Sequence, residues 1–189
     1  MRMAALNRRG REAKAWLMEA CFLLWSEAGF DGALFREALD LQHRPQNEPE
    51  TRVRVQARQT YVFALAAQLG WKPERALDLV GAGIEALSSQ ARRPDGLVGR
   101  ALSTDGKGLI EDTADLYDTA FTLMALAEAA RVMDDPAHPL KIAQDILASV
   151  DTHMRDVKSG GYAEWLPAPD IRQQNPHMHL FEACLTLHH

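Results

Sequence analysis

The sequence predicts an all-α chain built from three helix pairs in tandem, and three observations carry that reading. Apolar residues recur at helical spacing in six segments. Strand-like alternation is nearly absent across the 189 residues. A short motif also recurs between the helices of each pair: Phe35-Arg36-Glu37-Ala38-Leu39, Val98-Gly99-Arg100-Ala101-Leu102 and Tyr162-Ala163-Glu164-Trp165-Leu166. Its lead residues lie 63 and then 64 positions apart. A fixed period with one helix pair per unit marks a repeat architecture, in which each pair buries its apolar face only against its neighbours.

The first helix is expected over 11–28, where Trp16, Leu17, Cys21 and Leu24 form the stripe; Arg8, Arg9 and Arg11 read as its solvated start. The second runs over 51–69. The third, over 73–90, opens on Pro73, whose missing N–H costs nothing at a first helical position. The fourth covers 113–133 and the fifth 139–154, opening on Pro139. The sixth runs from Asn175 to the end, with Asn175 as N-cap and Pro176 as first helical residue. Each second helix carries a similar heart, Phe63-Ala64-Leu65, Phe121-Thr122-Leu123 and Phe181-Glu182-Ala183. The three phenylalanines are expected on one exposed inner face. Gly81 and Gly83 read as a helix-packing pair and 105–108 as a turn, since neither follows a strand as a phosphate loop would.

Composition narrows the function. Hydrophobic residues make up 47% and charged ones 25%, which excludes bulk disorder. A net charge of −5 offers no basic field for nucleic acid or acidic lipid. No apolar run approaches the ~20 residues of a membrane span, and the polar stretch from Asn7 to Lys14 is unlike a signal peptide. Cys21 and Cys184 sit in apolar helical patterns and read as reduced core residues of a cytoplasmic protein.

The chemistry is concentrated on the second helix of each pair. These present Arg52, Arg54, Gln56, Arg58 and Gln59; then Asp115, Tyr117 and Asp118; then Asn175, His179 and Glu182, the last three on one face at i, i+4 and i+7. His177 points elsewhere. If the second helices line the inside of a ring, these groups converge on one pocket, the default pattern of an active site. Removing a proton beside a sugar carbonyl calls for a base that is neutral near pH 7, hence histidine. The enediolate that results needs a fixed cation, and arginine supplies a planar fork.

Trp25 with Gly29-Phe30-Asp31, the run from Arg52 to Gln59, Leu116-Tyr117-Asp118 with Ala120-Phe121, Gly160-Gly161-Tyr162 and the run from Arg172 to Ala183 together resemble the N-acylglucosamine 2-epimerase family. That family also contains mannose isomerases and sulfoquinovose isomerase. The resemblance runs from about Trp16 to the end. It implies an (α/α)6 barrel that isomerises or epimerises an unphosphorylated monosaccharide at C2, without metal or other cofactor. It places the substrate-binding arginine on Arg58, the pocket tyrosine on Tyr117, the pocket asparagine on Asn175 and the inner histidine on His179, with Glu182 beside them. The family's two principal acid–base histidines fall in the second half of the barrel. Residues 1–189 are thus expected to be the N-terminal half, about three of six hairpins, since six repeats of this period would need roughly 380 residues. A homodimer is one way for such a half to cover its open face.

Two other chemistries are weighed. His177-x-His179-x-x-Glu182 has the outward form of a cupin metal set, but residues two apart on a helix diverge by about 200°, so no metal site is expected. A glycoside hydrolase on the same barrel would need two opposed carboxylates, for which Asp115, Asp118 and Glu182 exist; Arg58 and His179 suit enediolate chemistry better. A non-catalytic helical-repeat binding module would have no use for Arg, Tyr, Asn and His at matching depths. Between isomerase and 2-epimerase, the run from Arg54 to Arg58 with 175–179 looks closer to the bacterial isomerases, which points to mannose–fructose exchange.

Overall fold

The computed structural model describes residues 2–188. A long N-terminal helix runs as α1 (Arg2–Trp16), a π-helical turn (Leu17–Cys21) and α2 (Phe22–Glu27). It is followed by α3 (Val53–Gln68), α4 (Pro73–Glu85) with a π-helical end at Ala86–Gln90, α5 (Leu116–Ala130), α6 (Ala137–His153) and α7 (Gln174–His188). Helices α3, α5 and α7 lie side by side with α5 in the middle, while α4 packs on α3 and α6 on α5. The contact of α3 with α4 is close because Gly83 has no side chain: a Cβ there would meet the Thr60 hydroxyl at 1.8 Å.

The repeat is visible in the backbone. Each lead residue of the recurring motif forms an isolated bridge with a residue just past the end of the preceding helix: Phe30 with Phe35, Arg92 with Val98, Arg155 with Tyr162. Phe35 and Phe63 are buried and stack at 5.6 Å, with Phe22, Phe30 and Trp71 completing an aromatic cluster. Leu97, Leu102, Leu116, Leu123, Leu126 and Ile146 extend the core through the second and third pairs.

Several expectations need correction. Three short strands, β1 (Glu50–Arg52), β2 (Ala101–Ser103) and β3 (Leu109–Glu111), form an antiparallel sheet in the order β1-β2-β3. Three-residue strands are too short to show alternation, and they hold Thr51 and Arg52 extended before α3 begins. Phe63 is fully buried, Phe121 is half-buried and Phe181 is 64% exposed, so the three do not share a face. Cys184 is exposed and Cys21 half-buried, so neither is a core thiol. Helix α6 starts at Ala137, whose N–H is taken by Asp135, two residues before Pro139.

Candidate functional site

The third residue of each recurring motif fastens the start of the inner helix of its own repeat. Glu37 accepts the N–H of Arg52, the N-cap of α3, at 2.9 Å. Arg100 donates from Nε to Asp115, the N-cap of α5, at 2.8 Å. Glu164 accepts the N–H of Gln173, the residue before α7, at 2.9 Å. In the first and third repeats the carboxylate accepts a backbone N–H, whereas in the second the guanidinium donates to the carboxylate of the cap itself. The third of these contacts also moves the start of α7: Gln173 takes the capping place, so Asn175 is helical rather than the N-cap, and Pro176 is third in the helix. Asp115 is a true N-cap, its Oδ1 accepting the N–H groups of Tyr117 and Asp118.

Counting from these caps gives the correct equivalences. Two positions on lie Arg54, Tyr117 and Asn175; six positions on, one turn deeper, lie Arg58, Phe121 and His179. The two layers touch. In the outer one, Arg54 sits over the Tyr117 ring at 5.2 Å. In the inner one, the Arg58 guanidinium lies 4.1 Å above Phe121, and the Phe121 and His179 rings are 4.8 Å apart. Between layers, Arg58 Nη2 donates to the Tyr117 hydroxyl at 2.7 Å, and His179 meets Tyr117 edge-on at 5.2 Å. His179 Nδ1 is 2.7 Å from Glu182 Oε2.

Above the outer layer opens a cavity of about 340 Å³, lined by Arg54, Arg100, Asp115, Tyr117, Trp165 and Asn175 among others. The size suits a small polar ligand. Its cations are largely spoken for. Arg54 forms a bidentate pair with Asp118, Nε to Oδ1 at 3.0 Å and Nη2 to Oδ2 at 2.9 Å. Arg100 is held by Asp115 and, at 3.3 Å, by Glu111. Arg58 is exposed and has no carboxylate partner among the described residues. The carboxyl of Asp118 is pushed up to about 7, chiefly by burial and then by Asp115, against the pull of Arg54.

All five residues singled out in the sequence belong to this region. Tyr117 and Asn175 line the cavity; Arg58 and His179 reach it through Tyr117, and Glu182 holds His179. His177 turns away, its ring nitrogens each 3.0 Å from a carbonyl oxygen, of Gln173 and of Tyr162. Arg52 and Gln56 leave the site: Arg52 pairs with Glu37, and Gln56 is buried against the Phe35 backbone. Arg54, Asp115 and Asp118 were among the groups expected to converge here, though without roles of their own, while Arg100, Glu164 and Trp165 were read only as part of the recurring motif. Alignment on the helix caps would have placed Arg54 level with Tyr117 and Asn175. The alignment on the phenylalanines did not.

Comparison with known proteins identifies relatives of the whole fold. A model of the N-acylglucosamine 2-epimerase (GlcNAc 2-epimerase) family matches residues 34–189. A curated relative, mannose-6-phosphate isomerase of Rhizobium meliloti (strain 1021), is 35% identical over 177 residues, 93% of this chain and 45% of the relative. Among solved structures, cellobiose 2-epimerase from Spirochaeta thermophila DSM 6192 superposes with a TM-score of 0.84 at 21% identity, over 97% of this chain and 49% of that one. A D-mannose isomerase gives 0.79 at 18% identity, over 90% and 44%. The fold is therefore of the (α/α)6-barrel type, with three of its helix pairs present. The chain spans about half the length of the relatives it matches.

Proposed function

The chain belongs to the N-acylglucosamine 2-epimerase family, and from that premise we propose that it forms the N-terminal half of a cytoplasmic sugar isomerase acting at C1 and C2 of an unphosphorylated hexose. The observation that carries this reading is the stack of Arg58, Tyr117 and His179, a cation without a carboxylate partner among the described residues, held beside a hydroxyl and an imidazole. Arg58 binds the sugar's oxygens and stabilises the charge that develops on them. Tyr117 and Asn175 orient hydroxyls, and His179, held by Glu182, positions the sugar or assists a proton. In aldose-to-ketose exchange a base takes the proton from C2 as O1 is protonated, giving the enediol. The proton is then returned to C1 as O2 loses its own. The principal base comes from the second half of the ring, packed on the apolar edge of α7 where Phe181, Met178 and Leu185 are exposed, or else from a second copy of the chain. The paired state of Arg54 and Arg100 supports an uncharged sugar over a phosphorylated one.

Epimerisation at C2 shares the first half of this reaction and differs only in returning the proton to the opposite face of C2. A panel of reducing sugars in D2O, followed by NMR, separates the two. Mannose–fructose interconversion with deuterium incorporation supports the isomerase, mannose–glucose exchange the epimerase, and no exchange with both halves present rejects both.

A further inference from the structure

Arg54 reaches the cavity from the first turn of α3, its side chain 24% exposed, level with Tyr117 and Asn175. A guanidinium so placed would ordinarily read as an anion site, since its planar fork matches phosphate as well as carboxylate. Here the fork is already filled. Asp118, with no exposed side-chain surface, engages Nε and Nη2 together and also accepts the Arg54 backbone N–H at 2.8 Å. Arg100, the other arginine of the cavity, is likewise taken by Asp115 and Glu111. Asp115 and Glu164 also line the cavity, so its wall carries as many carboxylates as guanidinium groups, with Asp118 buried behind Arg54.

We infer that Asp118 determines specificity in this cavity: by occupying the fork of Arg54 from behind, it reserves the site for uncharged sugars and keeps out sugar phosphates. The inference rests on the sugar-binding reading above, but the masking of Arg54 can be tested without it. Removing the carboxylate of Asp118 frees one fork and makes the local balance more positive, and both changes favour a dianion. The side chain is buried, where a neutral isostere costs less to desolvate than a carboxylate. Asparagine keeps the oxygen that accepts the Arg54 N–H.

The test compares the parent, Asp118→Asn and Asp118→Thr for binding of D-mannose, D-mannose 6-phosphate and inorganic phosphate, by saturation-transfer NMR at low salt. The parent should prefer mannose and ignore inorganic phosphate. In the variants, affinity for mannose 6-phosphate relative to mannose should rise at least tenfold, and phosphate alone should bind. The double variant Arg54→Met with Asp118→Leu replaces the buried pair by apolar groups, an exchange proteins often tolerate, and should lose that gain. If no sugar binds to any protein while phosphate binds only to the single variants, the sugar reading fails and the masking stands. A ratio within threefold of the parent's overturns the inference. So does a parent that already prefers the phosphate ester, or loss of the helical CD signal in both single variants, which would make Asp118 a structural residue only.

Discussion

Arg58 donates to the hydroxyl of Tyr117 at 2.7 Å, joining neighbouring inner helices through residues 59 positions apart. The same guanidinium covers the face of Phe121, which fixes the plane of the fork. An arginine held by a phenol and a ring, with no carboxylate partner among the described residues, keeps most of its charge for a ligand.

Replacing Arg58 by lysine retains the charge but loses the fork and the flat face. Mannose binding should weaken by tenfold or more, about 1.4 kcal/mol. Stability should stay within about 0.5 kcal/mol because the side chain is exposed. NMR titration with thermal unfolding checks both, and binding within threefold of the parent removes Arg58 from the role of oxygen anchor.

His179→Ala deletes contacts with Tyr117, Phe121 and Glu182 but leaves the apolar residues Leu180 and Ala183 of α7 in place. Sugar affinity should fall several-fold while the helical CD signal stays. The ring contacts contribute about 1 kcal/mol. Aggregation with loss of helix would show instead that His179 is a packing residue.

Glu164 is buried and holds the start of α7 through Gln173, and so sets the place of Asn175. Glu164→Ala leaves that N–H without its acceptor, which should cost about 1–3 kcal/mol. Glu164→Gln, which can still accept, should recover most of the loss. Chemical unfolding of the two variants compares them directly; equal losses would mean that the carboxylate charge, not the acceptor, matters.

Asp118 predicts a pH dependence of stability with a defined sign. Its carboxyl, ordinarily near 3.8, stands at about 7 in the fold, so the folded state holds the proton more tightly. The contribution is complete below pH 3.8 and is lost as pH rises through about 7, at no more than about 1.4 kcal/mol per pH unit. Asp105 and Asp156, whose carboxyls lie at about 2, act in the opposite sense but only on the acid side of that window. The melting temperature should therefore fall between about pH 5 and pH 7, and Asp118→Asn should flatten that slope. An unchanged slope in the variant assigns it elsewhere.

Much of this arrangement was legible in the sequence, and what was not has physical causes. Helical periodicity located the helices, and the motif led by Phe35, Val98 and Tyr162 marked positions that are equivalent in the backbone. The register of the third inner helix was lost because the connection shortens. The cap follows the motif's third residue by 15 positions in the first two repeats, from Glu37 to Arg52 and from Arg100 to Asp115, but by 9 from Glu164 to Gln173. The phenylalanine alignment also fails by itself, since Phe63, Phe121 and Phe181 lie 11, 6 and 8 positions after their caps and so occupy three different depths. The Arg54–Asp118 pair spans 64 residues and joins two repeats, so no local pattern could reveal it. Arg58, Tyr117, Asn175, His179 and Glu182 were singled out because residue chemistry and family resemblance agreed on them, and the structure brings them into one region.

Arg58, Tyr117, Asn175 and His179 are proposed to form one wall of a site for C1–C2 proton exchange on an uncharged hexose. This assignment is tested most directly by following D-mannose in D2O by NMR, with the chain alone and with the C-terminal half of its 35%-identical relative supplied in trans. The account predicts mannose binding by the chain alone without exchange. With both halves present it predicts deuterated fructose, an activity lost in Arg58→Lys. Exchange by the isolated chain as a monomer, or exchange with both halves that survives Arg58→Lys unchanged, would contradict it.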